Sequence, residues 1–160
     1  MNKKIFLLLL IVIFLIILNY YNYFTVALII YSLTLLEFGS GFFLLFSSQP
    51  SVHNKILSFY RKISFINDDY AKALAKNFQP ARKLFGKELM LNAIFVFSLS
   101  IDFLLRLLPL SEVLQENKTS IALAIKLPVL IFYIPASIYI SAKVKKLSSD
   151  KISDDSPWKL

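Results

Sequence analysis

The chain has 160 residues, enough for one compact unit, yet a 57% hydrophobic content and a mean hydropathy of +0.64 exceed what a soluble domain carries. Only 18% of residues are charged, so the net charge of +8 describes flanks and one loop. Zero cysteines exclude disulfides, thiolate metal sites and thiol nucleophiles, and a single histidine, His53, excludes multi-histidine metal sites.

A hydrocarbon core ~30 Å thick takes roughly 20 helical residues, and four apolar runs of that order lie between charged flanks. Lys3 and Lys4 precede an apolar block from Ile5 to Leu18, then Asn19, Tyr20, Tyr21, Asn22 and Tyr23 interrupt before a second block from Phe24 to Phe46. As one helix these residues would be about 63 Å long, twice the bilayer core, so a hairpin with an interfacial tyrosine-rich connection is the better reading. A positive start followed by an apolar block also describes a signal peptide, but no small-residue cleavage site follows, which favours an uncleaved first helix. The expected spans are 5–23, 24–46, 89–109 and 120–142, in a single membrane domain covering 1–160.

Orientation follows from the basic residues, which are retained on the cytoplasmic side. The 47–88 loop carries Lys55, Arg61, Lys62, Lys72, Lys76, Arg82, Lys83 and Lys87, and the 143–160 tail begins Lys143, Lys145, Lys146. The connection at 19–23 carries no positive charge, and the one after the third span carries only Lys118 beside Glu112 and Glu116. Four spans with both termini cytoplasmic, or in the equivalent compartment of an organelle, satisfy this pattern. The fold class expected is therefore all-α: an integral membrane bundle of four transmembrane helices with an amphipathic cytoplasmic loop.

Within that loop Ile56, Tyr60, Ile63, Tyr70, Leu74 and Phe78 recur at helical spacings. Asn67 and Asp68 suit the N-cap of a helix from Asp69 to Phe78, and Pro80 suits the opening of another. Basic residues between the apolar ones would lie near anionic headgroups, which predicts a membrane-hugging loop. Those eight basic residues are candidate contacts for anionic lipid or for a partner protein, with plain solvated charge as the bland alternative. Nucleic acid is a poor partner, because the charge is interleaved with large apolar residues.

Four ionisable residues fall inside expected spans, where each needs a partner, an interface or neutralisation. Arg106 is roughly 5 Å below the outer surface, Lys126 roughly 9 Å and Asp102 roughly 10 Å. An Asp102 to Lys126 clamp between the last two spans is the structural reading; a cavity binding an ion or polar solute, with Arg106 as second cation, is the functional one. Glu37 lies near the bilayer middle with no cation at its depth, on a face shared with Thr34 and Gly41 that suits close helix approach. A neutral carboxyl acting as glue, pairing with a basic residue of another subunit, and proton or cation carriage all fit it. Pro128 and Pro135 permit kinks in the last span.

The adjacent Asp68 and Asp69 read as a helix N-terminus, His53 as a solvated interfacial side chain, and the stretch from Ser148 onward as a disordered end. No phosphate loop, dinucleotide fingerprint, haem motif or repeat appears, so no cofactor and no enzymatic activity are expected. The expected function is that of an accessory, assembly or scaffold subunit of a larger membrane complex, with the lipid bilayer and other membrane subunits as partners. A small transporter or oligomeric channel using Glu37 or the Asp102, Arg106 and Lys126 cluster is the competing class.

Overall fold

The structure, a computed structural model, describes residues 23–107 and 116–149. Among them the chain is helical throughout and forms no strand. The elements are α1 (Tyr23–Phe46), α2 (Pro50–Lys62), α3 (Asp68–Lys76), α4 (Phe78–Leu99), α5 (Ile101–Leu107) and α6 (Lys118–Ser149). The expected first span, 5–23, lies almost wholly outside the described residues.

Helices α1 and α6 are each long and apolar enough to cross a membrane. Helix α1 contains no charged residue except Glu37, and α6 extends past the expected 142 because Lys143, Lys145 and Lys146 continue it as far as Ser149. The expected disordered end therefore does not begin at Ser148; straight-chain lysines lose little rotamer freedom in a helix and prolong it. The tail beyond Ser149 lies outside the described residues.

Between these two helices runs α4, antiparallel to both. Tyr31 near the start of α1 donates a hydrogen bond to the Ser100 carbonyl after the end of α4 (2.9 Å), whereas Gly41 near the end of α1 meets Gly86 near the start of α4. On the other flank Tyr133 of α6 donates to Asn92 Oδ1 of α4 (3.0 Å), and the Tyr133 and Phe95 rings stack at 4.1 Å.

The expected third span, 89–109, takes a different form. Its apolar residues are the second half of a helix that begins at Phe78 and already carries Arg82, Lys83, Lys87 and Glu88. The helix then breaks at Ser100: the Ser98 and Ser100 hydroxyls donate back to Phe95 and Phe97 carbonyls, and the Ser100 carbonyl accepts from Tyr31. Serine side chains that bond their own backbone compete with the helical ladder in this way.

The amphipathic segment between α1 and α4 packs its apolar residues against the rest of the chain. Its apolar face turns inward: Leu57 and Tyr60 of α2 and Tyr70, Ala73 and Leu74 of α3 join Leu44, Phe85, Leu89, Ile140 and Val144 in one buried core. Phe85 receives the edges of both Tyr60 (5.6 Å between centroids) and Tyr70 (5.2 Å). An apolar stripe is attracted to any water-free surface, and here protein supplies it; each such fully buried side chain contributes about 1.5–3 kcal/mol.

Local signals fix the ends of the short helices. Pro50 opens α2, where its missing N–H costs nothing. Helix α2 closes with Ser64 in the left-handed region (φ 58°), Ser64 N–H donating to Arg61 and Phe65 N–H to Tyr60, while the Phe65 ring packs on Tyr60. That is a Schellman closure with serine at the position that glycine favours. Asn67 caps α3 by accepting from the Tyr70 N–H (2.9 Å), and Asp68 and Asp69 occupy its first turn as expected.

Candidate functional site

Helix α1 places Thr34, Glu37 and Gly41 on the side that faces the rest of the chain. The Thr34 hydroxyl donates to the Ile30 carbonyl (2.7 Å) and is buried, so it is already satisfied within its own helix. A Cβ on Gly41 would stand 2.6 Å from the Gly86 carbonyl oxygen and 2.7 Å from Met90 Cγ, which makes the small residue a requirement of the α1–α4 crossing. The small face expected to allow close helix approach does so within this chain.

Glu37 is half-buried and forms no ion pair among the described residues. The buried Tyr60 of α2 packs its ring against Phe85, and its hydroxyl completes no hydrogen bond. Burial, and after it the Glu88 carboxylate, pushes the Tyr70 phenol above its ordinary value, leaving it a neutral donor.

At the opposite end Asp102 of α5 and Lys126 of α6 form an ion pair, the clamp that their matching depth implies. The Arg106 side chain lies outside the described residues, so the three-group cluster is placed only in two of its members.

The basic residues of the 47–88 segment divide sharply. Lys55, Arg61, Lys62, Lys72, Lys83 and Lys87 are exposed and Lys76 is half-buried, as a solvated or headgroup-facing set requires. Arg82 is the exception at 5% exposure, and His53, expected to be solvated, is buried at 3%. The two lie together: Arg82 Nη1 stands 2.6 Å from His53 Nε2 and 3.2 Å from Nδ1, and Arg82 Nη2 donates to Gln79 Oε1 at 2.8 Å. A guanidinium only donates, so the ring nitrogen that receives it must be unprotonated. Burial first, and the Arg82 charge second, hold the His53 imidazole below its ordinary value and keep it neutral. The Ser47 carbonyl lies 2.9 Å from His53 Nε2 and can only accept, so the neutral ring that donates to it from Nε2 receives the Arg82 guanidinium at Nδ1.

These side chains line a cavity of about 310 Å³ with Ser47 and Ser48 at its rim, set between the first turns of α2 and α4. The sequence holds a local signal for it. Pro50 starts α2 and puts His53 in its first turn; α4 starts at Phe78, with Pro80 and Arg82 in its opening turns. Two helix starts brought together by the α1–α4 crossing thus juxtapose a histidine and an arginine 29 residues apart.

No protein family, curated protein or solved structure matches the chain. Function rests on the chemistry of these residues.

Proposed function

We propose that the chain is an accessory or assembly subunit of a larger membrane complex, docking through the uncovered apolar face of α6. The observation that carries this is the exposure of α6: only 6% of its most apolar stretch is buried within the chain. Ile131, Phe132, Ile134 and Ile138 are exposed on it, Phe132 at 73%. Such a surface is incompatible with water over a whole helix and requires lipid or protein against it. Few small residues line that face, so the contacts it offers are broad and apolar.

In this reading α1, the α4–α5 pair and α6 cross the membrane alongside a first helix at 5–23, giving four spans with both termini cytoplasmic. The antiparallel course of α1, α4 and α6 and the placement of the basic residues support it. The cysteine-free chain allows a direct check with an impermeant maleimide: Lys118→Cys should label from outside, and Ser58→Cys and Ser149→Cys only after permeabilisation. A photo-crosslinking residue at Phe132 tests the docking surface. The expected product is an adduct with another membrane protein, and adducts with lipid alone would remove α6 as the docking face.

The half-buried Glu37, with no ion pair among the described residues, favours one second reading, a small transporter or channel-forming oligomer that moves protons or cations at its level. Flux through proteoliposomes of the purified chain, lost in Glu37→Gln, is its signature.

A further inference from the structure

The cavity between the starts of α2 and α4 contains a buried cation whose partners are all neutral. Arg82 meets a neutral imidazole and the Gln79 amide oxygen, its Nε completes no hydrogen bond, and no carboxylate pairs with it among the described residues. Neutral acceptors orient a guanidinium but do not balance its charge, and a buried charge without an opposite one is unfavourable. The rest of the cavity is positive in the same sense. Neither helix start carries a side-chain cap: Gln49 provides none for α2, and Asn77 gives its amide to the Leu147 carbonyl (3.2 Å) instead of capping α4. Each uncapped start adds partial positive charge, although Pro50 has no N–H and the His53 N–H donates to the Gln49 carbonyl. The Ser47 hydroxyl already accepts from the Gln49 N–H (3.1 Å), so its own proton is available to donate.

We propose that this cavity binds a phosphate group, with Arg82 as its charge partner and Gln79, Ser47 and Ser48 as neutral contacts around it. Three features select phosphate over a planar carboxylate. The guanidinium and the Ser47 hydroxyl supply donors from separate parts of the chain, which suits an anion with several acceptor oxygens. A guanidinium with free donor positions matches phosphate oxygens. The volume, about 310 Å³, is several times that of one water (about 30 Å³) and accommodates an esterified group as well as the free ion. The serine turn directly follows the last residue of α1, so if α1 crosses the membrane the cavity opens at the level of the headgroup phosphates. The lipid source depends on that membrane reading, whereas free phosphate does not.

The test uses the full chain, stripped of lipid in neutral detergent, with unfolding temperature as readout. Inorganic phosphate and a short-chain phosphatidylglycerol are titrated separately, with a short-chain diacylglycerol as the control lacking phosphate. The expected result is a rise of about 5 °C or more at a hundredfold excess over Kd, absent with diacylglycerol and absent in Arg82→Gln. A shift with both ligands identifies the phosphate group alone as sufficient; a shift with phosphatidylglycerol only identifies the lipid headgroup. No shift with either, or equal shifts in wild type and Arg82→Gln, overturns the proposal. Ser48→Glu keeps the test decisive if Arg82→Gln does not fold, because it offers Arg82 a carboxylate from the cavity rim. It should unfold at a higher temperature than wild type without ligand and lose the ligand shift, and an unchanged ligand shift overturns the proposal.

Discussion

Gly41 and Gly86 face each other across the α1–α4 crossing, each leaving room for the backbone oxygen of the other at 2.6–2.9 Å from where a Cβ would stand. Two of the three glycines of the chain are therefore used to bring two helices into backbone contact. Gly39, two residues away, has nothing within 4 Å of its Cβ position. Gly41→Ala should lower stability by about 1–3 kcal/mol through overpacking, whereas Gly39→Ala should be neutral or stabilising by about 0.5–1 kcal/mol. Thermal unfolding of the two variants in the same detergent separates them, and equal losses would place the crossing elsewhere.

The Asp102–Lys126 pair ties α5 to α6 at the end opposite the buried core. In the four-span reading lipid surrounds this pair and removing one partner strands a charge there, so the losses in Asp102→Asn and Lys126→Met should add up to more than the loss in the double variant. A double-mutant cycle is expected to give a coupling of about 1–3 kcal/mol, above the ~0–1 kcal/mol of a pair in water. A coupling near zero would mean that each group finds the interface independently.

His53 makes stability depend on pH. Its folded-state pKa is held below the ordinary value of 6.5 by burial and by Arg82, so the unfolded chain binds the proton more readily. The contribution of the neutral ring is therefore fully present above about pH 6.5 and is lost as pH falls through the depressed folded value. Unfolding temperatures at pH 7.5 and 5 should fall further apart in wild type than in His53→Gln. Equal differences in both would show that carboxylates alone set the acid response.

Ser64 holds a left-handed conformation that glycine adopts without a Cβ clash. Ser64→Gly should raise stability by about 1 kcal/mol, and Ser64→Val should lower it. Chemical denaturation of the purified variants measures both.

The sequence makes α1 and α6 legible because an uninterrupted apolar run has one reading, and it makes the α3 cap legible because Asn67 and two aspartates precede a helical stripe. It does not reveal which surface the apolar stripe of α2 and α3 meets. Leu57, Tyr60, Tyr70 and Leu74 satisfy the same periodicity whether lipid or protein covers them, and only the tertiary arrangement decides. The matching depths of Asp102 and Lys126 could be read by counting residues along two helices. The contact between His53 and Arg82 could not, since it depends on the Gly41–Gly86 crossing that brings α2 and α4 together. The break at Ser100 is hidden for a related reason: the hydroxyl bonds of Ser98 and Ser100 and the Tyr31 bond to the Ser100 carbonyl that accompany it depend on the folded arrangement.

We propose that another membrane protein covers the exposed apolar face of α6. The most direct test is the mass of the native particle extracted into lipid nanodiscs, with mass spectrometry of every chain that accompanies it. The account predicts a particle in which other membrane proteins are present in fixed stoichiometry with this chain. A monomer surrounded by lipid, or a symmetric assembly of this chain alone, would contradict it and transfer the interest to Glu37 and transport.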